Sequence, residues 1–344
     1  MKKSQRMMVR FINLILLLLF LTSCLDKKKE LYIAPWGNNL NKGTQRAPFA
    51  TINRAMEEVR RLKSAGHYPA GGLTVYLREG EYRLTESIIM TESDGGLPGA
   101  PVIYRALPGE RVVISGVVTV DPAAVNKAGD QEITQRLTER VASASLLMID
   151  LVSQGIYDFG KNQVRGTGVA SSREDKPPDF FIGGKRLQLA RWPNEGEFVQ
   201  MNRTIDPGVD WNGRSGLGES DLSAGKMVKQ EPRGGTFTYS FTRPDLWSNI
   251  EPYISGVLTE SWVWNNVQVS IDRSLRQIRL KTLISYGLIK RKGKVHYFHF
   301  EDIPEEIDIP GEYWLDRDEG ILYFLPPLDY TPEDEIRVSM LKTP

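Results

Sequence analysis

The spacing of apolar positions changes along the chain. Apolar residues first recur at helical spacing, at Phe49, Ile52, Ala55, Met56, Val59 and Leu62. This spacing predicts one amphipathic helix within residues 48–64, ended by Gly66. Short apolar runs then follow between Gly and Pro turns, at residues 73–77, 88–90, 102–104 and 112–114. Because these runs are β-branched and nearly continuous, they favour buried, stacked parallel strands.

A different pattern begins after an Ala-rich, charged stretch at residues 120–145, which we interpret as a boundary or a surface excursion. Paired apolar runs flank Gly183-Gly184 and a charged turn that ends in Gly320. These are hairpin signals, and they predict an antiparallel β domain of sandwich or barrel type. Residues 335–341 predict one more strand, which leaves an exposed sheet edge.

The first residues predict export. Four basic residues precede the apolar run 11–21, and Thr22 and Ser23 lead to Cys24, which is the layout of a signal peptide. Residues 21–24 resemble a bacterial lipobox, in which the cysteine is lipid-modified and becomes the new N-terminus. We therefore expect a signal peptide at 1–23, a lipidated tether at 24–30, and a cell-envelope location, at the outer membrane, with Cys24 in the lipid.

The amino-acid composition limits the kinds of partner that we expect for this chain. Cys24 is the only cysteine, so processing leaves no disulfide framework. The chain of 344 residues carries 44 basic and 43 acidic residues spread along its length, for a net charge of +1. This balance argues against nucleic acid as a partner and favours a neutral ligand.

Several motifs carry a family resemblance. YIAPWGNN (32–39), PFATI (48–52), YLREGEY (76–82) and GAPVIY (99–104) resemble the first coils of right-handed parallel β-helix proteins of the pectate-lyase-like superfamily. ARWPNEG (190–196), PGEYWLD (310–316) and GILYF (320–324) resemble an inserted β domain. That domain occurs in exported β-helix glycoside hydrolases of the α-L-fucosidase and xylanase type.

The resemblance implies a mainly β fold. Its parts are a β-helix cap and first coils at 31–120 with a capping α-helix, an inserted antiparallel β domain at 121–327, and a return strand at 328–344. It implies glycan processing by glycoside hydrolysis as the inherited reaction and a polysaccharide as partner. Because a solenoid needs several stacked coils and few are visible, we expect the catalytic residues beyond Pro344 or a second chain that completes the β-helix.

Two alternatives stay open. The first alternative is a non-catalytic glycan-binding or scaffold lipoprotein. The second is a polysaccharide lyase-like protein or a truncated remnant. A glycosidase needs two carboxyl groups that flank the scissile bond. The acidic clusters 305–308 and 312–318, with Asp94 and Asp245, are interpreted as turn residues instead.

Metal and cofactor signals are weak. His67, His296 and His299 lack metal-ligand neighbours, and no run resembles a calcium cage, so we expect no metal and no cofactor. The aromatic residues Trp247, Tyr253, Trp262 and Trp264 are the candidate carbohydrate-binding set, since exposed rings stack on sugars. Two-residue spacing predicts that Trp262 and Trp264 share one face of a strand. Core packing is the competing interpretation for all four residues.

Overall fold

The protein is described by a computed structural model covering residues 28–129, 132–139, 144–162, 177–209, 233–248, 250–288 and 296–341. It is mainly β and has two compact units that divide between Val117 and Val118. In the described ranges, no helix has both the length and the apolar content needed to span a bilayer. The signal segment and Cys24 lie outside the described residues.

Within residues 28–117, unit 1 contains one α-helix and five strands. They are β1 (Lys29–Ile33), α1 (Ile52–Ser64), β2 (Leu73–Leu77), β3 (Gly80–Arg83), β4 (Val102–Ala106) and β5 (Val112–Ser115), with a 3₁₀ turn at Glu92–Asp94. Strands β1, β2 and β4 pair in parallel, and so do β3 and β5. Three of the four continuous apolar runs, at 73–77, 102–104 and 112–114, therefore lie in parallel strands, as predicted.

The helix of unit 1 begins and ends close to its predicted limits. The Thr51 side chain accepts a hydrogen bond from the backbone N–H of Arg54 and caps the first turn. At the other end Gly66 adopts a positive φ, which a glycine accommodates without strain. The apolar stripe of α1 packs with the inward side chains of β1 and β2 in one core cluster. The predicted strand at 88–90 is absent, and Ile89 and Met90 are exposed in a loop.

The described residues of unit 2 form three sheets. Its elements are β6 (Val117–Val120), β7 (Asn126–Lys127), α2 (Glu132–Arg136), β8 (Leu147–Asp150), β9 (Phe180–Ile182), β10 (Lys185–Arg186), β11 (Gln188–Leu189), β12 (Arg191–Trp192), β13 (Val199–Gln200), β14 (Thr204–Asp206), β15 (Thr236–Thr238), β16 (Tyr253–Val257), β17 (Asn265–Asp272), β18 (Gln277–Leu280), β19 (Tyr297–Glu301), β20 (Glu312–Asp316), β21 (Ile321–Phe324) and β22 (Ile336–Ser339). Short 3₁₀ turns lie at Pro122–Ala124, Arg243–Leu246 and Pro304–Glu306.

Two of these sheets pack face to face. The order β10-β9-β22-β6 forms one sheet and β11-β20-β21-β8-β7 the other. Phe180 and Val338 from the first meet Leu322 and Phe324 from the second in a single apolar cluster. The third sheet has the order β12-β19-β16-β17-β18-β15-β14, with β13 also on β19, and buries Phe237, Phe298 and Phe300 on its inner side.

The predicted hairpins are present. Strands β9 and β10 turn at Gly183-Gly184, where both glycines have positive φ, and β20 and β21 turn before Gly320. The last strand differs from its prediction. Strand β22 does not end as an exposed edge on the parallel coils, because it lies between β9 and β6 in unit 2. The stretch at 120–145 likewise belongs to unit 2, where Ile133 and Leu137 join a core cluster.

Candidate functional site

One face of the third sheet is polar and aromatic. On β19, Phe298 and Phe300 point into the core, so the alternating residues Tyr297, His299 and Glu301 lie on the opposite side. The register places Ser255 of β16 beside His299 and Asn266 of β17 beside Ser255. We call this side of β19, β16 and β17 the outer face.

An aromatic cluster lies at one end of the outer face. The ring of Phe198 is 5.0 Å from that of Tyr297 and 6.0 Å from that of Trp264, with edge-to-face geometry in both pairs. Trp264 also lies 6.4 Å from the ring of His299. Phe198 and Trp264 remain 40% and 47% exposed. These rings are held by each other and still open to a ligand.

Polar groups beside the aromatic cluster are fixed by hydrogen bonds. The indole Nε1 of Trp264 donates to Ser255 Oγ over 2.9 Å, which sets the plane of the ring. Asn266 Nδ2 donates to Glu301, whose other carboxylate oxygen lies 3.4 Å from His299 Nε2. Asn266 Oδ1 and His299 Nδ1 are buried and have no hydrogen-bond partner within the described chain. Such atoms are costly to leave unpaired.

Arg191 packs near the Phe198 ring of the aromatic cluster. Its guanidinium carbon lies 5.9 Å from the centre of the Phe198 ring. The Nε and Nη2 groups donate to the backbone oxygens of Pro193 and Glu197 over 2.9 and 3.3 Å. Partial burial lowers the pKa of the Arg191 guanidinium. This cation is tied to the backbone, so it orders the loop that carries Phe198.

The outer face combines the two kinds of group that ligand-binding sites use. Binding sites combine apolar ring faces with a few placed polar groups. Here the half-exposed rings of Phe198 and Trp264 lie beside the ring of His299, whose Nδ1 is buried and has no hydrogen-bond partner within the described residues.

The structure separates the four predicted aromatic residues. Trp264 and Trp262 are exposed, whereas Trp247 is only 4% exposed and donates its Nε1 to Glu306 in the core. A buried ring of this kind is closed to a ligand from solvent. Tyr253 is half-buried on the outer face, and its hydroxyl donates to the Asn162 carbonyl over 2.6 Å. Trp262 lies in the turn before β17, so the prediction that Trp262 and Trp264 share one face of a strand is wrong.

The acidic cluster at 305–308 differs from its prediction as a surface turn. Glu305 and Glu306 are buried: Glu305 pairs with Arg136 at 3.0 Å, and Glu306 pairs with Arg243 at 2.7 Å. Burial raises the pKa of Glu306, and Arg243 opposes that rise. Glu305 therefore connects the Pro304–Glu306 turn to α2, and Glu306 connects it to the Arg243–Leu246 turn. The sequence did not indicate this role.

The remaining acidic candidates have local partners as well. Glu312 is buried and accepts the backbone N–H groups of Asp308 and Ile309, and burial raises the pKa of Glu312 to about 8. Asp316 accepts two backbone N–H groups of its hairpin turn, as a turn former does. Asp94 pairs with Arg60 at 2.6 Å, and Asp245 pairs with Arg276 at 2.8 Å.

The histidines are dispersed. His67 is exposed, and His296 is buried with Nδ1 3.4 Å from the Met201 sulfur. Only His299 lies on the outer face. Across the ranges that the structure describes, no group of three His, Cys, Asp or Glu side chains could hold a metal ion.

Sequence reasoning missed most of the outer face. The alternation in residues 296–301 could have indicated that His299 and Glu301 share a side, because a two-residue period separates them from the Phe positions. Phe198 gave no such signal. Its contact with Trp264 joins loops that are 66 residues apart in the sequence.

No protein-family model matches the chain. The uncharacterized protein YwoF of Bacillus subtilis is 36% identical over 86 residues, and pectate lyase PEL9 of Emericella nidulans is 34% identical over 87 residues; each match covers 25% of the chain. A solved glycoside hydrolase matches 90% of the chain with a TM-score of 0.59 at 20% identity, so the two share a fold.

The matches cover a minor part of each relative. They span 15% of YwoF, 18% of the pectate lyase and 45% of the glycoside hydrolase. The reaction and substrate of those proteins are therefore not carried over with the fold.

Proposed function

We propose that this chain is a lipid-anchored cell-envelope protein of polysaccharide processing, and that its outer face binds glycan. The observation that carries the proposal is the pair of half-exposed rings, Phe198 and Trp264, which are held edge to face on a polar strand surface. The fold shared with a glycoside hydrolase and the partial match to a pectate lyase support a carbohydrate ligand.

The proposal assigns a role to each unit. The parallel strands of unit 1 are the first coils of a right-handed β-helix, α1 is its cap, and unit 2 is the inserted β domain. Parallel pairing in register through β1, β2 and β4 supports this assignment. Glycoside hydrolysis is the inherited reaction of the whole enzyme, and the lipid on Cys24 holds it at the outer membrane.

Further coils would stack on the open end of unit 1. Among the described strands, β4 pairs with β2 alone, and Ile103 of β4 and Ile114 of β5 are exposed. Ile88, Met90 and Tyr104 contribute to a cleft of about 470 Å³ in the same unit. An apolar edge of this kind favours added strands. We propose that such strands, from a second chain or a longer polypeptide, carry the hydrolytic carboxyl pair.

Glycan binding by the outer face is tested by affinity electrophoresis of residues 25–344 in xylan, pectin and fucosylated glycan gels. The parent protein is expected to be retarded in at least one gel. Trp264→Ala should remove most of the retardation, because one stacked ring contributes about 1–3 kcal/mol of binding in comparable ring-stacking sites. Trp36→Ala is the control, since Trp36 is an exposed tryptophan of unit 1. Equal retardation of both variants would contradict the proposal.

Reducing-sugar release by the same protein separates the enzyme from the binding protein. No release is expected from these residues alone, because Glu305, Glu306 and Glu312 are buried and engaged. Release of sugar that survives Trp264→Ala would place a carboxyl pair within the chain and contradict the assignment of hydrolysis to further coils.

A further inference from the structure

A second pair of exposed rings lies close to the aromatic cluster along the chain. Trp262 is 63% exposed and Tyr286 is 42% exposed, and their ring centres are 5.5 Å apart in an edge-to-face arrangement. Neither ring is needed by the core. We call Trp262 and Tyr286 the second platform and Trp264 with Phe198 the first.

The two platforms face solvent on either side of an inward residue. Val263 lies between Trp262 and Trp264 and is only 1% exposed, so it anchors this segment in the core. Its backbone N–H donates to the Glu260 carbonyl over 2.9 Å, which fixes the turn. Because a chain spans at most about 3.3–3.6 Å per residue, the Cα atoms of Trp262 and Trp264 lie within about 7 Å of each other. The two platforms are therefore neighbours on the surface of the third sheet.

The two platforms hold their rings independently. The first is fixed by Ser255 and Tyr297, and the second by the contact of Trp262 with Tyr286. Tyr286 has a φ of 68°, a left-handed conformation that is uncommon for an aromatic residue. Such a conformation persists only where surrounding structure determines it. The Tyr286 ring is thus presented to solvent at a conformational cost.

We infer that the first and second platforms together bind successive sugar residues of an extended, linear glycan, so the ligand is an internal stretch of polymer instead of a single terminal sugar. This inference rests on the proposed function of the outer face. One platform accommodates one ring face, whereas two neighbouring platforms favour a chain that passes over both. Summed over two linked contacts, affinity should rise with ligand length.

The test is the dependence of affinity on oligosaccharide length. Size-fractionated xylan, galacturonan and fucosylated oligosaccharides of two to six residues are titrated into residues 25–344 by calorimetry. The parent should bind the longest member of one series at least about 10-fold more tightly than the disaccharide. Trp262→Ala should keep the affinity for the disaccharide and lose that gain with length. Trp36→Ala, which removes an equally exposed tryptophan at 63%, should match the parent.

The outcomes are distinguishable. Length dependence that is unchanged in both Trp262→Ala and Tyr286→Ala overturns the second platform but leaves the first intact. Loss of all binding in Trp264→Ala with parent-like folding supports the proposed function whatever Trp262 does. No binding in any series overturns both. Thermal melts of each variant establish that a lost affinity is not a lost fold.

Discussion

At the scale of single residues, Glu312 makes stability depend on pH. Burial raises its pKa to about 8 in the folded protein, above the usual value of 4.5. The folded state therefore retains a proton that the unfolded state releases, and stability falls as pH rises from about 4.5 to 8. Glu312→Gln keeps an oxygen for the N–H groups of Asp308 and Ile309 and removes the titration.

The variant Glu312→Gln should be more stable than the parent at pH 8, by on the order of 1–2 kcal/mol, and equal to it at pH 4. Urea unfolding at the two pH values measures the difference. Asp318→Asn, at an exposed turn position, is the control and should follow the parent. A loss of stability of the same size at both pH values would show that Glu312 acts through its hydrogen bonds alone.

The sequence was least informative about which individual side chains are buried. Trp247 and Trp264 are both tryptophans near β-strands, yet one lies in the core and the other on the surface. No local pattern separates them, because the exposure of each ring depends on distant partners such as Phe300 and Phe198. Glu306 is a similar case. Its burial requires Arg243, which is remote in sequence.

At the scale of elements, the Arg60–Asp94 pair connects α1 to the Glu92–Asp94 turn. Asp94 is 3% exposed and also accepts the backbone N–H of Thr91. Arg60 holds the pKa of the Asp94 carboxyl at about 2. The stabilisation is therefore present above the usual pKa of 3.8 and is lost as pH falls toward 2. Asp94→Asn should lower the free energy of unfolding at pH 7 by about 1–3 kcal/mol.

The matched control for this pair is Asp245→Asn, which breaks the more exposed pair with Arg276. A change of less than about 1 kcal/mol is expected there, since solvent screens the pair. Denaturant unfolding of all three proteins makes the comparison. Equal losses in the two variants would mean that burial of Asp94 adds nothing to its link with α1.

Elements with their own local signals were predictable. The helix α1 follows from a 3.6-residue apolar period and a Thr51 cap, and the β9–β10 hairpin follows from two glycines that both adopt positive φ. The run at 88–90 was predicted as a strand from composition alone. A strand also requires a pairing partner, and this run has none in the described structure. The prediction that the last strand returns to the β-helix was wrong for the same reason, because the pairing of a strand is a long-range property.

At the scale of the whole molecule, the proposal predicts where the protein resides. If Cys24 is lipid-modified, the full chain should label with radioactive palmitate and fractionate with membranes, because each buried methylene of an acyl chain contributes about 0.8 kcal/mol. Cys24→Ser removes the acceptor thiol and should abolish the label. Ser23→Ala keeps the thiol beside the same apolar run and is the control.

The same fractions connect location to binding. The Cys24→Ser protein should bind the polymer identified for the outer face as the parent does, since the aromatic cluster depends on contacts within unit 2, such as that of Trp264 with Ser255. Membrane fractionation and glycan retardation are then separable properties, one lost with Cys24 and the other with Trp264. If Cys24→Ser still labels with palmitate, the lipid anchor is excluded at this residue while glycan binding stands on its own evidence.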